Sequence, residues 1–390
     1  MTRWCLPRLA GSPNSLKIVE LLKEDFEQFN FESKEQKFPV FKSDSSFQLT
    51  TKFLIMAALF GVFLILFWFT FWWSVILVCV IIVLATRLKR APRRSKICLE
   101  RLVKEADSNE KIAFIQSNLI YRLKPTKERR CNVILMAHHD SKSQSFSTES
   151  RIYIALSIAA IFLFMAVLYI LCVIFEIIGI TTHLWLRPLT FILGWINIGI
   201  FLLLSFNRIS NKSLGALDDA SGMYALWITA HLLTNESLQH CEVWIVLTGA
   251  EEIGQIGAAE FLNNYKEELN PNTTYLLNFE MIGVKNAPLK ALQSYSFPIK
   301  RRISPFLFPL AYKTALELKI KFKGWYLPIG AHTDGLLFRK EGYKAINFVS
   351  REAGKFTHSL RDIYELIDPY ILTEYARLNI AIIEKLDKLY

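Results

Sequence analysis

Cysteine is scarce in this chain, 6 residues in 390. That excludes a small scaffold held together by disulfides. Cys79 and Cys172 fall in apolar runs and the other four show no pair spacing, so the six read as reduced thiols. Charged residues are also few, 21% against 52% hydrophobic, which excludes a disordered or collagen-like polymer, and no internal repeat or low-complexity tract is seen. No secretory signal is visible in MTRWCLPRLAGSP. A net charge of +11 raises the question of nucleic acid, but no nucleic-acid motif accompanies it. The most informative absence is local. Residues 53–86 carry no charged side chain, and residues 152–206 carry two, Glu176 and Arg187. The other 301 residues hold 79 charged side chains, or 26%, an ordinary soluble composition. The 52% hydrophobic content of the whole therefore comes from two inserts in a soluble protein.

As one helix, residues 53–86 would be ~51 Å long, against a hydrocarbon core about 30 Å thick. Trp68, Trp72 and Trp73 lie in the middle of the run, although Trp prefers the membrane interface. This favours a hairpin of two short helices turning near Thr70–Ser74; the alternatives are one long helix or a core hairpin. In the second insert, EIIGITTHLWLRP separates the apolar stretches 152–175 and 188–206, and Glu176 reads as a turn charge. Six basic residues lie between Arg87 and Lys96, Arg151 precedes the second insert, and Arg208 and Lys212 follow it. The turns carry only Arg187. By the positive-inside rule the polar segments face the cytoplasm. The basic run also suits anionic lipid head groups.

The polar segments alternate strand and helix patterns. Helices are expected at 16–30, 219–234, 255–266, 303–319 and 369–389, and strands at 118–124, 132–139, 243–249, 275–283 and 344–350. That is an α/β sheet with helices on both faces, in which reactive residues gather at strand ends.

Short motifs at those ends carry chemistry. In MAHHDS, His138 and Asp140 share one strand face, with His139 facing away. His138 could bind a metal while Asp140 orients neighbouring ligands from behind. Asp218 in GALDDASG could be a helix cap. In LTGAEEIGQIGAAEF the adjacent Glu251 and Glu252 follow an apolar strand, where two carboxylates repel unless a cation is present. One can ligate while the other handles the proton of a bound water. Glu280 interrupts the apolar strand YLLNF at a cost without a partner. FTHSLRD supplies His358 and Asp362, and AHTDGLLF supplies His332 and Asp334; each is ambiguous alone. Together, His138, Asp218, Glu251, Glu252, Glu280 and His358 offer two imidazoles, three ligand carboxylates and a spare one. That set suits a pair of borderline divalent ions such as Zn²⁺.

With these motifs the chain resembles metallopeptidase family 28, the co-catalytic zinc aminopeptidases with their carboxypeptidase and glutaminyl-cyclase relatives. The likeness runs from LPRLAGSPNSLKIVELLKEDF through NVILMAHHDS, GALDDASG, LTGAEEIGQIGAAEF and LNFEMIG to AHTDGLLF and THSLRD. It implies a mixed, mainly parallel central sheet flanked by helices. It implies two Zn²⁺, other divalent metals being possible: His138 and Glu280 would hold one, Glu252 and His358 the other, and Asp218 would bridge them. Glu251 would be the general base, with Asp140 behind the ligands. Glu280 departs from the family, many of whose aminopeptidases have Asp there.

The resemblance also implies that residues 1–52, 87–151 and 207–390 assemble into one peptidase domain. The inserts 53–86 and 152–206 would then be transmembrane hairpins, about four spans in all. The expected protein is a membrane-anchored zinc exopeptidase of aminopeptidase type, acting on peptides, with the bilayer as its other partner. The alternatives are a catalytically silent scaffold or receptor, and a glutaminyl-cyclase-like acyl transferase.

Overall fold

The structure is a computed structural model and describes residues 1–42, 47–88, 96–106, 111–296, 299–328 and 332–390. The chain divides into two compact units. The first comprises Met1–Ser45, Arg94–Thr148 and Ile209–Tyr390; the second comprises Ser46–Arg93 and Glu149–Arg208.

The first unit is built on a nine-stranded mixed, mainly parallel sheet. Its strands are β1 (Glu32–Phe41), β2 (Ile112–Leu123), β3 (Cys131–His138), β6 (Cys241–Thr248), β7 (Thr274–Glu280), β8 (Leu289–Tyr295), β9 (Arg301–Arg302), β10 (Phe322–Leu327) and β11 (Lys344–Val349). The two-residue strands β4 (Ser143–Gln144) and β5 (Ile209–Ser210) pair separately. The order is β1-β2-β6-β3-β7-β11-β8-β10, with β9 on β8. Strands β6, β3, β7 and β11 run parallel; β1 and β2 form an antiparallel margin.

Every residue of β3, β6 and β7 is buried, as the continuous apolar runs of strands covered on both faces require. Alternation divides the runs. Val133, Leu135, Val243, Ile245 and Leu277 face one core, with α1 (Pro13–Glu27), α7 (Ser221–Leu233), α9 (Leu307–Glu317) and α11 (Pro369–Asp387) contributing. Ile134, Met136, Trp244, Val246 and Leu276 face the other, with α4 (Lys96–Ala106), α8 (Ile256–Tyr265) and α10 (Asp334–Lys340).

Strand β1, helix α4 and strands β8 and β10 are additions to the sequence reading. The reading of six unpaired thiols is corrected. The parallel register of β3 and β6 sets Cys131 opposite Cys241, Cα atoms 4.6 Å apart, and the two are bonded. Their separation of 110 residues hid a pairing that only the sheet creates.

The second unit is helical: α2 (Phe47–Phe69), α3 (Phe71–Leu88), α5 (Thr148–Ile177) and α6 (Leu186–Ser205). The chain breaks at Thr70, which excludes one continuous helix over 53–86. Phe67 and Ser74 both reach Tyr169 of α5, the first ring to ring at 5.7 Å and the second Oγ to hydroxyl at 3.1 Å. Gly194 lets α6 lie close to α2, since a Cβ there would fall 2.4 Å from Leu64. Glu176 closes the α5–α6 turn, paired with Arg187 at 2.8 Å and accepting from the Thr182 amide and hydroxyl.

Thr148–Ile177 and Leu186–Ser205 are long and apolar enough to cross a membrane; the apolar stretches Phe53–Phe69 and Phe71–Ile81 are shorter. Most of the basic run expected at a lipid surface lies outside the described residues.

Candidate metal centre

Three adjacent parallel strands end together. β3 ends at His138, β6 ends at Thr248 just before the Glu251–Glu252 turn, and β7 ends at Glu280. The β3–β7 register pairs Met136 with Asn278; continued by two residues it sets His138 beside Glu280. Two loops complete the cluster with Asp218 and His358. All six side chains are buried.

Asp218 is the hub. Its Oδ1 lies 3.0 Å from His138 Nε2, and its Oδ2 lies 3.0 Å from His358 Nε2. One carboxylate thus presents an oxygen to each imidazole. His358 Nε2 is also 3.1 Å from Glu252 Oε1. Asp218, Glu252 and His358 each bring one donor atom within 4.8 Å of the others.

Asp218 is no helix cap. Helix α7 starts at Ser221, and it is Asp219 Oδ1 that accepts the Gly222 amide. Asp140 accepts the amides of Glu251 and Glu252 at 3.0 and 3.1 Å and so fixes the paired-Glu turn, while its own carbonyl meets His138 Nδ1 at 3.1 Å. His139 points away, its Nε2 2.8 Å from the Ser117 carbonyl.

His332 is exposed, whereas Asp334 is buried and accepts from the Thr248 hydroxyl at 2.7 Å. Sequence reasoning missed Lys142, whose Nζ lies 2.8 Å from both Glu252 Oε2 and the Glu252 carbonyl. It also missed Thr148, whose Oγ1 is 3.2 Å from His358 Nδ1. No motif marks either residue; only the fold delivers them.

The electrostatics divide the carboxyls. Burial works to raise Asp218, but hydrogen bonds to His138 and His358 hold it far below the carboxylate range. Burial also opposes ionisation of Glu252, and His358 and Lys142 outweigh it, bringing the group down to about 2. Glu251 goes the other way, raised by burial and then by Glu280. Glu280 is raised by burial and then by Asp218. Two buried carboxyls are driven toward the neutral form beside two that are ionised. A divalent cation relieves such a surplus of acid, and the donors on offer, imidazole nitrogen and carboxylate oxygen, are those zinc accepts.

Residues 201–383 match peptidase family M28. No curated protein sequence matches the chain. A leucine aminopeptidase precursor from Bacteroides thetaiotaomicron superimposes with a TM-score of 0.52 at 12% identity, over 97% of this chain and 91% of that one. A glutaminyl cyclase from Porphyromonas gingivalis does so with a TM-score of 0.51 at 13% identity, over 98% and 94%. At such identities the likeness is one of fold. A zinc aminopeptidase from Bacillus subtilis gives a TM-score of 0.44 at 16% identity over 71% of this chain, which spans 52% of that protein.

Proposed function

From the match of residues 201–383 to peptidase family M28 and the geometry of the cluster, we propose that the chain is a membrane-anchored di-zinc metallopeptidase, an exopeptidase of aminopeptidase type. The observation that carries this reading is Asp218, with one carboxylate oxygen facing each of two imidazoles. His138 and Glu280 would hold one ion, Glu252 and His358 the other, with Asp218 shared. Zinc, when bound, supplies the Lewis acid that polarises a peptide carbonyl and acidifies a water.

The chain's own residues do the rest. Glu251 stands next to a ligand without being needed as one. Its carboxylate takes the water proton and passes it to the departing amine. The Asp140 carboxylate holds the amides of Glu251 and Glu252, so ligand and base keep a fixed relation. Lys142 pins one oxygen of Glu252. Burial of the cluster excludes bulk water and strengthens each of these interactions.

Two helices of spanning length and apolar character support the anchor. The Lys and Arg flanks of the inserts support a cytoplasmic catalytic unit. The bonded Cys131–Cys241 pair points the other way, since disulfides are rare in the cytosol. Thiol labelling of sealed vesicles separates the two orientations.

The test of the reading is hydrolysis of aminoacyl and dipeptide substrates by zinc-loaded protein. Glu251→Gln is expected to lower turnover about 10²–10⁴-fold while leaving zinc bound. Equal turnover by the two proteins would refute the mechanism. A single-zinc acyl transferase of the glutaminyl-cyclase kind is the second reading. One observation favours it: among the described residues, Asp218, Glu252 and His358 form the one group of three or more whose donor atoms all lie within 4.8 Å of one another. Cyclisation of an N-terminal glutamine peptide with one zinc per chain would select it.

A further inference from the structure

The loop that carries Asp218 has little regular structure of its own, yet it is gripped from two sides by buried polar side chains. Arg8 is fully buried and makes no ion pair among the described residues. Its guanidinium instead donates to four main-chain carbonyls. Nε meets His139 O at 2.7 Å, Nη1 meets Leu6 O at 3.2 Å and Leu214 O at 2.7 Å, and Nη2 meets Gly215 O at 2.9 Å. The main chain adds to the grip, because Arg8 N–H donates to Ser141 Oγ and Ser141 N–H donates to the Arg8 carbonyl. Gly215 has φ +58°, and a Cβ there would fall 2.7 Å from Arg8 Nη1, so the close approach needs glycine.

From the other side, fully buried Asp362 accepts the Leu217 amide on Oδ1 at 2.6 Å and the Asp218 amide on Oδ2 at 3.3 Å. The carbonyls of the loop thus face a guanidinium and its amides face the oxygens of a carboxyl group.

Arg8 touches the residue after His138 and the residues just before Asp218. Asp362 touches Asp218 itself and lies four residues after His358. Burying a guanidinium that makes no direct ion pair is costly. What it gains here is a fixed spacing between three metal-bearing segments that are far apart in sequence. We propose that Arg8 and Asp362 are positioning residues that clamp the 214–218 loop and set the distance from Asp218 to the imidazoles on either side. This rests on the metal-centre reading above. Arginine suits the task because its planar fork reaches several acceptors in different directions, which one ammonium nitrogen cannot do.

The test compares Arg8→Lys and Asp362→Asn with the wild-type chain in membranes or detergent. Arg8→Lys keeps the charge and loses the fork; Asp362→Asn keeps the shape and can no longer accept from both amides. Two readouts are taken. Zinc titration is expected to show affinity about 10–100-fold weaker in each variant, the range for residues that orient metal ligands. Hydrogen exchange of a peptide spanning residues 213–220, measured without metal, is expected to show faster exchange in both. Leu386→Ala, in the buried core of α11, serves as a variant loosened elsewhere. Wild-type affinity and protection in Arg8→Lys would overturn the clamp, since charge alone would then suffice. Equal losses in Leu386→Ala would overturn it as general loosening. A wild-type chain that binds no zinc while both variants still lose loop protection would refute the metal reading and leave the clamp standing.

Discussion

The two units solve opposite solvent problems with one chain. The α/β unit buries its large apolar side chains, and beside the ends of its central strands it also buries carboxylates, imidazoles and Arg8. The helical unit turns this around. Phe69, Trp72, Trp73, Phe164, Ile174 and Leu184 are exposed, while Ser74, Thr182, Thr190 and Asn197 lie inside. An exposed apolar surface on that scale is what a helix bundle in lipid presents. The lesson is that burial has a different meaning in each unit. In the first, the buried polar groups include the proposed ligands and the proposed clamp. In the second, the exposed apolar ones support the proposed membrane anchor.

Substitutions can break that contrast. The largest effect on stability is expected inside the sheet. Leu277→Ala, fully buried in β7, should cost about 2–5 kcal/mol, read by denaturant unfolding of the α/β unit. Next comes a charge on the helical surface. Phe164→Lys in α5, 52% exposed, should cost roughly 2.5–3.5 kcal/mol if that surface meets hydrocarbon, read as failed insertion of α5 in a membrane-integration assay. Leu316→Lys in α9 is 60% exposed in the α/β unit and should change stability by less than about 0.5 kcal/mol. If Phe164→Lys proves as harmless as Leu316→Lys, the helical unit is not built for lipid.

An effect smaller than those of Leu277→Ala and Phe164→Lys tests a polar anchor of the sheet. Asp387 accepts the amides of Gln239, His240 and Cys241 at 2.8, 2.7 and 2.7 Å, tying α11 to the start of β6. Burial opposes its ionisation, but those three amides hold it below its ordinary value of 3.8. A carboxyl depressed by folding stabilises above the ordinary value and stops doing so as pH falls through the lower folded one. Asp387→Ala should therefore cost about 1–3 kcal/mol at neutral pH. The gap to wild type should close only below the ordinary carboxyl range. A gap that is flat down to the most acidic pH would sink the assignment.

Legibility differed between the units for physical reasons. Continuous apolar runs marked β3, β6 and β7, because strands buried on both faces leave no alternation to misread. The tryptophans in the middle of the first insert marked the break that falls at Thr70. Strand β1, ESKEQKFPVF, was not legible. Its polar half is exposed, and it becomes a strand by pairing with β2 along its length. At the candidate site, the residues proposed to act through their side-chain chemistry stood out at strand ends. Those that act by reaching across the fold did not. Lys142 and Thr148 sit in segments with no motif, Arg8 lies in a quoted segment that does not single it out, and their partners Glu252, His358 and Gly215 lie more than 100 residues away. The Cys131–Cys241 pair was hidden in the same way.

The central claim is that the buried carboxylate–imidazole cluster is a metal centre shared through Asp218. Zinc content of the purified full chain, measured beside Asp218→Asn, tests it most directly. Two zinc ions per wild-type chain are expected, with loss of both, or nearly both, in the variant. A wild-type chain without bound zinc at saturating metal, or an Asp218→Asn chain that retains two, would contradict it.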